Sequence, residues 1–209
     1  LVCLMLADRG ELDLYEPIAS YWPEFAANGK DRIATRHVLS HTAGLAGWDE
    51  PLDETDFFDH DKLVGLLAAQ APWWEPGTQS GYHADTQGYL LGEIVKRVDG
   101  RTLGTFFAEE VAGPLDADFH IGTPAECDPR IARLIGSGPI DAGADPPSIP
   151  YRTFNNPPYL PELPWLQARR RAAPGRTVAV LRPVVPMAAN GTSGLARALA
   201  AGMGQRFAV

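Results

Sequence analysis

The sequence predicts a mainly helical chain that carries little β-sheet, and three observations support this fold class. Several segments repeat apolar residues at the three- and four-residue spacing of an amphipathic helix. Capping residues such as Asp85 and Thr102 precede these segments, and Gly or Pro follows them. Strand patterns are sparse, and the best local candidate is TVAVLRPVV at 177–185.

The predicted helices are spread over the first part of the chain. In the longer ones, Leu63, Leu66 and Leu67 form one apolar stripe, and Leu90, Leu91, Ile94, Val95 and Val98 form another. Gly88 and Gly92 lie one turn apart and predict a close approach by another backbone. In chain order we expect the last turns of a helix that stops near Gly10, a short helix capped by Thr35, helices over about 59–71 and 85–100, and a helix from Thr102 to Gly113.

The remaining residues divide into three predicted segments. Residues 124–164 are loop-rich because Pro and Gly are dense from 136 to 164, although a short helix is predicted within 123–135. Residues 165–186 form a basic stretch, and 187–209 carry a helical remnant capped by Thr192 or Ser193. We interpret the whole chain, 1–209, as one partial domain.

The basic stretch has three interpretations. The residues from 169 to 209 include seven arginines but no lysine and no acidic residue. The segment could be a solvated basic loop or a surface that binds an acidic partner. It could also be a translation in the wrong frame, because out-of-frame reading of GC-rich DNA produces Arg, Ala, Pro, Gly and Val. The sequence leaves all three open.

Composition excludes several classes of function. The net charge of -8 argues against a nucleic-acid partner. No apolar run approaches the ~18 residues of a membrane-spanning helix. His41, His60, His83 and His120 lack ligand spacing, so we predict no metal site and no cofactor. Cys3 and Cys127 are interpreted as two reduced or buried thiols.

Three ordered motifs carry a resemblance to a known family. These are LMLADRGELDLYEPIASYWPEF, then TRHVLSHTAGL, then PGTQSGYHADTQGYLLGEIVKRVDG. Together they resemble the serine β-lactamase and D,D-peptidase superfamily, and are most similar to its family VIII carboxylesterases. The resemblance is continuous over residues 1–123 and returns weakly at 186–202. It implies an α/β (α+β) β-lactamase/transpeptidase-like fold, of which this chain covers mainly the helical region.

The resemblance also implies a catalytic assignment. Family members acylate the Ser of an S-x-x-K helix, and the Tyr of a second motif, Y-x-N or a looser form, assists proton transfer. Tyr82 matches that Tyr, whereas Ala84 replaces the Asn, a departure that the esterase branch tolerates better. No Ser precedes a Lys by three residues here, so the helix at Leu1 resembles the remainder of such a helix after its motif. HIG at 120–122 does not match the family's later H-x-G motif in position.

Other motif residues have structural interpretations that compete with functional ones. Ser40 and His41 are expected to form a capped turn with a hydrogen-bonded His. Trp73 and Trp74 are candidate substrate-binding residues, although packing in the core or at its rim is the competing interpretation. Ser80 does not fit a G-x-S-x-G nucleophile turn.

The function predicted from this resemblance is hydrolysis of carboxylic esters through an acyl-enzyme. A free phenol ionises near pH 10, so Tyr82 needs a cationic neighbour to act as a base at pH 7. Without the Ser and Lys, we predict that the chain as given is inactive. One alternative is a non-catalytic module, either a degenerate β-lactamase-like fragment or a helical binding module. The other is a β-lactam hydrolase or binding protein. The expected partner is a small ester or β-lactam-like molecule, and neither compartment nor oligomeric state is assigned.

Overall fold

A computed structural model describes residues 1–130 and 148–156 of the chain. These described residues contain helices and no β-strand; the pair Pro17 and Ala34 forms an isolated antiparallel bridge. The helices are α1 Val2–Asp8, α2 Thr35–Leu39, α3 His60–Ala69, α4 Thr86–Asp99, α5 Leu103–Phe107 and α6 Ile149–Phe154. Short 3-10 turns lie at Ile18–Ser20, Pro23–Gly29, Glu54–Phe58 and Ala125–Arg130, and a π-helical turn, Ala108–Ala112, continues α5.

The core forms where α3 packs against α4 and against the turn at Pro23–Gly29. As predicted, Leu63 and Leu67 of α3 and Leu90, Ile94 and Val95 of α4 are buried. Trp22 and Phe25, from the turns, are also fully enclosed and lie 5.0 Å apart. The predicted helical stripes therefore cover a shared apolar interior, which removes large side chains from water.

The predicted ends of the helices are mostly confirmed. The Asp59 side chain accepts a hydrogen bond from the backbone N–H of Lys62, at 3.1 Å, and caps α3. Thr102 caps α5 in the same way. α1 ends before Gly10 and α4 before Gly100, and both glycines have positive φ.

Three predictions about helices are wrong. Asp85 precedes α4 as expected, but its side chain makes no capping hydrogen bond to the helix. Thr35 is the first residue of α2 rather than its cap, and its hydroxyl is buried without a hydrogen bond in the described residues. Instead, Nδ1 of His37 accepts the Ala34 backbone N–H at 3.0 Å. Gly88 and Gly92 admit no close backbone among the described residues: Gly88 faces open space, and Gly92 faces the ring of His60.

Helix α6 corrects the prediction of continuous loop from 136 to 164. Its sequence, SIPYRTF, carries usable signals, because Ser148 caps the helix and Pro150 lies in its first turn. Asn156, just beyond α6, donates to the carbonyls of Trp48 and Glu50 and accepts the Leu52 N–H. These non-local bonds attach the segment to the turn at 48–52.

Several predictions lie outside the described residues. They are the strand at 177–185, the helix within 187–209 and the basic stretch at 165–186. Both cysteines lie within the described residues, where each is buried and free of a disulfide, as predicted. None of the helices in the described part of the chain is long and apolar enough to cross a membrane.

Candidate active site

The candidate site forms where the turn after α2 meets the loop before α4. The backbone N–H of Gly81 donates to the carbonyl of His41 at 3.0 Å. The Gly77 N–H donates to Thr42 at 2.9 Å, and the Trp73 N–H donates to Gly44 at 2.7 Å. Three backbone bonds therefore join residues 41–44 to residues 73–81, and they fix the loop that carries Tyr82.

Tyr82 lies at the surface of this junction. Its side chain is 41% exposed, and its ring centroid lies 4.9 Å from that of His41 in an edge-on arrangement. Within the described residues, its hydroxyl makes no hydrogen bond. Partial burial, and then the nearby carboxylate of Asp85, raise the pKa of Tyr82. The phenol is therefore neutral at pH 7.

His83 anchors the loop from below. Its ring is buried: Nε2 accepts the Leu45 N–H at 3.2 Å, and Nδ1 donates to the Gly81 carbonyl at 2.6 Å. The Thr86 hydroxyl donates to the carbonyl of Leu45 at 2.5 Å. Burial lowers the pKa of His83 to about 4, so the ring is neutral at pH 7.

The turn at Ser40 and His41 has the predicted form. The Ser40 hydroxyl donates to the Arg36 carbonyl at 2.8 Å and lies 2.9 Å from the Thr42 hydroxyl. His41 has a φ of 60°, and its Nδ1 accepts the backbone N–H of His83 at 3.2 Å. The turn is capped and its His is hydrogen-bonded, as expected.

The two tryptophans occupy different environments. Trp74 is 8% exposed and lies beneath the loop, where a Cβ on Gly81 would come within 2.6 Å of its ring. Trp73 is half-buried: its Nε1 donates to Asp49 at 2.9 Å, and the Arg152 guanidinium of α6 stacks 3.7 Å from its ring centroid. These contacts are packing contacts, and the substrate-binding role of either residue stays a prediction.

None of the three lysines of the sequence pairs with Tyr82. Lys30 is buried, its ammonium donates to the carbonyls of Ala27 and Gln70, and burial lowers its pKa to about 8. Lys62 pairs with Asp56 at 2.5 Å. Lys96 lies 3.6 Å from Asp61 and 3.7 Å from Glu93. The described residues therefore supply no lysine that would lower the Tyr82 pKa.

Among the described residues, no group of three or more His, Cys, Asp or Glu side chains is arranged to hold a metal ion. The structure also shows that the buried ring of His83 binds the loop through Leu45 and Gly81, a role that the motif analysis missed. The sequence contains no local signal for it, because two of the three residues that His83 contacts by hydrogen bonds, Leu45 and His41, are distant in the chain.

Acidification is expected to destabilise the fold through His83. Its folded pKa is about 4, whereas an unfolded His titrates near 6.5, so the unfolded chain takes up the proton first. The free energy of unfolding should therefore fall by about 2–3 kcal/mol as pH falls from 6.5 to 4. Protonation of Nε2 would give His83 an N–H that faces the Leu45 N–H, and the hydrogen bond between them would be lost. Urea denaturation at several pH values measures this loss.

The matched variant is His83→Gln, which removes the titrating group. It should be less stable than the wild type at pH 7 but should lose less stability between pH 6.5 and 4. The comparison also separates the contribution of His83 to the pH dependence from those of His37 and His41, because burial lowers their pKa values too. Equal slopes in the variant and the wild type would refute the assignment to His83.

Comparison with known families gives a match over nearly the whole chain. The model of the family described as Beta-lactamase matches residues 1–207. Among curated proteins, the chain is 41% identical over 141 residues to Esterase/beta-lactamase LipL of Mycobacterium tuberculosis, which covers 66% of this chain and 32% of that protein. The chain thus spans about a third of the length of the curated relatives it matches.

Solved structures agree with this match. The crystal structure of a family VIII carboxylesterase has a TM-score of 0.69 and 39% identity, covering 84% of this chain and 45% of that one. A penicillin-binding protein homologue from Caulobacter crescentus has a TM-score of 0.61 and 44% identity, covering 64% of this chain and 36% of that one. Both similarities extend to sequence and fold.

Proposed function

This chain belongs to the β-lactamase family, and we propose that it forms part of a serine hydrolase that cleaves carboxylic esters through an acyl-enzyme. The observation that carries the proposal is the position of Tyr82. Its loop is tied by three backbone bonds to the turn at 41–44, yet its phenol is 41% exposed with no hydrogen bond to a described residue. A residue that is held in place and partly exposed suits proton transfer to a bound substrate.

The proposed reaction needs the Ser and Lys of an S-x-x-K motif, which these 209 residues do not contain. A serine oxygen attacks the ester carbonyl and loses its proton, the alcohol leaves with a proton, and water then releases the acid. Tyr82 would relay the proton between these oxygens. Because burial and Asp85 raise its pKa, Tyr82 requires a nearby cation, such as the lysine of an S-x-x-K pair, to act as a base.

Two observations favour esters over β-lactams as substrates. Ala84 stands at the third position of the Y-x-N-like motif and has no side-chain amide to bind the substrate. LipL is named an esterase as well as a β-lactamase, and the similar crystal structure is a carboxylesterase. β-Lactam hydrolysis is the second candidate, since the LipL name includes it.

Of the two tryptophans, Trp73 is the better candidate to border the substrate. Its ring is only half-buried, whereas Trp74 is 8% exposed and supports the loop under Gly81. A Trp73→Ala substitution that raises KM for long-chain esters more than for short ones would support this role. An equal change in KM for both would assign Trp73 to packing.

The test compares two polypeptides: this 209-residue chain and the product of the whole reading frame that contains it, here called the whole-frame polypeptide. With a chromogenic short-chain ester, we expect turnover and an acylated serine within an S-x-x-K sequence in the whole-frame polypeptide only. A chromogenic cephalosporin tests the β-lactam candidate in parallel.

Two outcomes would contradict the proposal. Ester turnover by the 209-residue chain would mean that another nucleophile, such as Ser40 or Ser80, operates. A whole-frame polypeptide that folds but neither turns over the ester nor becomes acylated would favour the non-catalytic module. The raised pKa of Tyr82 and the absence of a lysine partner among the described residues are the observations that favour that alternative.

A further inference from the structure

His41 occupies a backbone position that usually belongs to glycine. Helix α2 ends with two bonds: the Thr42 N–H donates to the His37 carbonyl at 2.8 Å, and the His41 N–H donates to the Val38 carbonyl at 3.2 Å. This pair defines a Schellman motif, whose left-handed residue is commonly Gly because a Cβ is unfavourable there. His41 adopts it with a φ of 60°.

The side chain of His41 makes a contact that glycine could not make. Its Nδ1 accepts the backbone N–H of His83 at 3.2 Å, while its own carbonyl accepts the Gly81 N–H at 3.0 Å. The residues on both sides of Tyr82 are therefore bound to the same residue. The His41 ring also lies edge-on to the Tyr82 ring, with centroids 4.9 Å apart.

We propose that His41 is a positioning residue that holds Tyr82 in place through the residues on both sides of it and through the contact between the two rings. The left-handed φ of His41 directs its imidazole back toward the loop. The unfavourable backbone conformation therefore allows the contacts of His41 with Gly81, His83 and the Tyr82 ring, which are here called the clamp. The catalytic importance of this clamp rests on the role proposed above for Tyr82; the clamp itself does not.

The clamp requires a neutral imidazole. Because Nδ1 accepts a hydrogen bond from the His83 backbone N–H, the ring proton of His41 is on Nε2. Burial lowers the pKa of His41, which keeps Nδ1 available as an acceptor at neutral pH. The amide of Gln87 lies 3.5 Å from the same Nδ1 and adds a second, weaker donor.

A purely structural role makes the opposite prediction from a positioning role. If His41 only ended α2, His41→Gly should relieve the backbone and leave the loop unchanged. If His41 positions Tyr82, the same variant should loosen the loop even when the melting temperature is equal or higher. His41→Asn is the matched control, because Asn tolerates left-handed φ and its side-chain oxygen can replace Nδ1 as acceptor.

Amide hydrogen exchange followed by NMR reports the clamp directly in the 209-residue chain. In His41→Gly, we expect the His83 amide to exchange about five- to tenfold faster, the effect of losing one hydrogen bond. In His41→Asn, its rate should stay within about twofold of the wild type. The Gly81 amide is an internal control, because it donates to the backbone carbonyl of residue 41 and not to the side chain.

Spectra of ring-labelled tyrosine add a second readout. The Tyr82 ring signals, assigned by their loss in Tyr82→Phe, should shift in both His41 variants because both remove the adjacent ring. An unchanged His83 exchange rate in His41→Gly would overturn the proposal, whatever the role of Tyr82.

The catalytic consequence is measured separately in the whole-frame polypeptide. We expect kcat for the ester to fall in His41→Gly and to recover in large part in His41→Asn, with KM little changed. Faster His83 exchange combined with a kcat that neither Tyr82→Phe nor His41→Gly alters would support the clamp and refute the proposed role of Tyr82. The two proposals thus fail through different measurements.

Discussion

Replacement of Tyr82 by Phe in the whole-frame polypeptide should lower kcat for ester hydrolysis by roughly 10²–10⁴-fold, the usual contribution of a general acid–base group. The substitution removes only the hydroxyl, and that hydroxyl makes no hydrogen bond to a described residue. The ring and its contact with His41 are kept. The free energy of unfolding should therefore change by less than about 0.5 kcal/mol.

The matched control is Tyr15→Phe. Tyr15 is a more exposed tyrosine, 77% accessible, whose ring is covered by the Arg36 guanidinium at 5.3 Å. Both variants lose one phenolic oxygen, but only Tyr82→Phe should lose activity. Retention of full activity by Tyr82→Phe, with an acylated serine still detected, would remove Tyr82 from the mechanism.

The pH dependence of kcat gives an independent check on the same residue. In the surroundings that the structure describes, partial burial and the Asp85 carboxylate raise the pKa of Tyr82, so the phenol is neutral at pH 7. If Tyr82 acts as a base in the whole-frame polypeptide, a cation must reverse that shift. The kcat profile should then show an ionisation well below the ordinary phenol value that disappears in Tyr82→Phe.

Substitution of Gly44 by Ala should reduce the free energy of unfolding by roughly 2–5 kcal/mol. Gly44 has a φ of 80°, where an L side chain is strained. A Cβ there would also lie 2.7 Å from the carbonyl oxygen of Trp74 and 2.8 Å from Cβ of Pro72. The Trp74 carbonyl belongs to the backbone, so the clash can be relieved only by moving the segment of chain that leads to Tyr82.

Two other glycines separate the causes of this loss. Gly10 has a similar φ of 74° with no atom within 4 Å, so Gly10→Ala should show the conformational cost alone, about 1–2 kcal/mol. Gly88 lies inside α4 in open space, so Gly88→Ala should stabilise the protein by roughly 0.5–1 kcal/mol. Urea denaturation of all three variants measures these values. If Gly44→Ala lowers the free energy of unfolding no more than Gly10→Ala does, the contact between the added Cβ and the Trp74 carbonyl has no energetic cost.

The sequence alone determined the features that depend on neighbouring residues. The apolar stripes of α3 and α4 and the cap at Thr102 were predicted because periodicity and capping act within a few residues. The ordered motifs likewise indicated the family that the match over 1–207 shows. Tyr82 was predicted on the same basis, as a residue type at a motif position.

Only the tertiary structure decided which contacts hold Tyr82 and in which direction its pKa is shifted. Its clamp joins His41 to Gly81 and His83, about 40 positions apart in the chain, and no local pattern specifies such hydrogen bonds. Burial, which depends on the whole packed chain, raises the pKa of Tyr82 and lowers that of His83. Thr35 was mispredicted for the same reason, because packing buried its hydroxyl and left the cap hydrogen bond to His37.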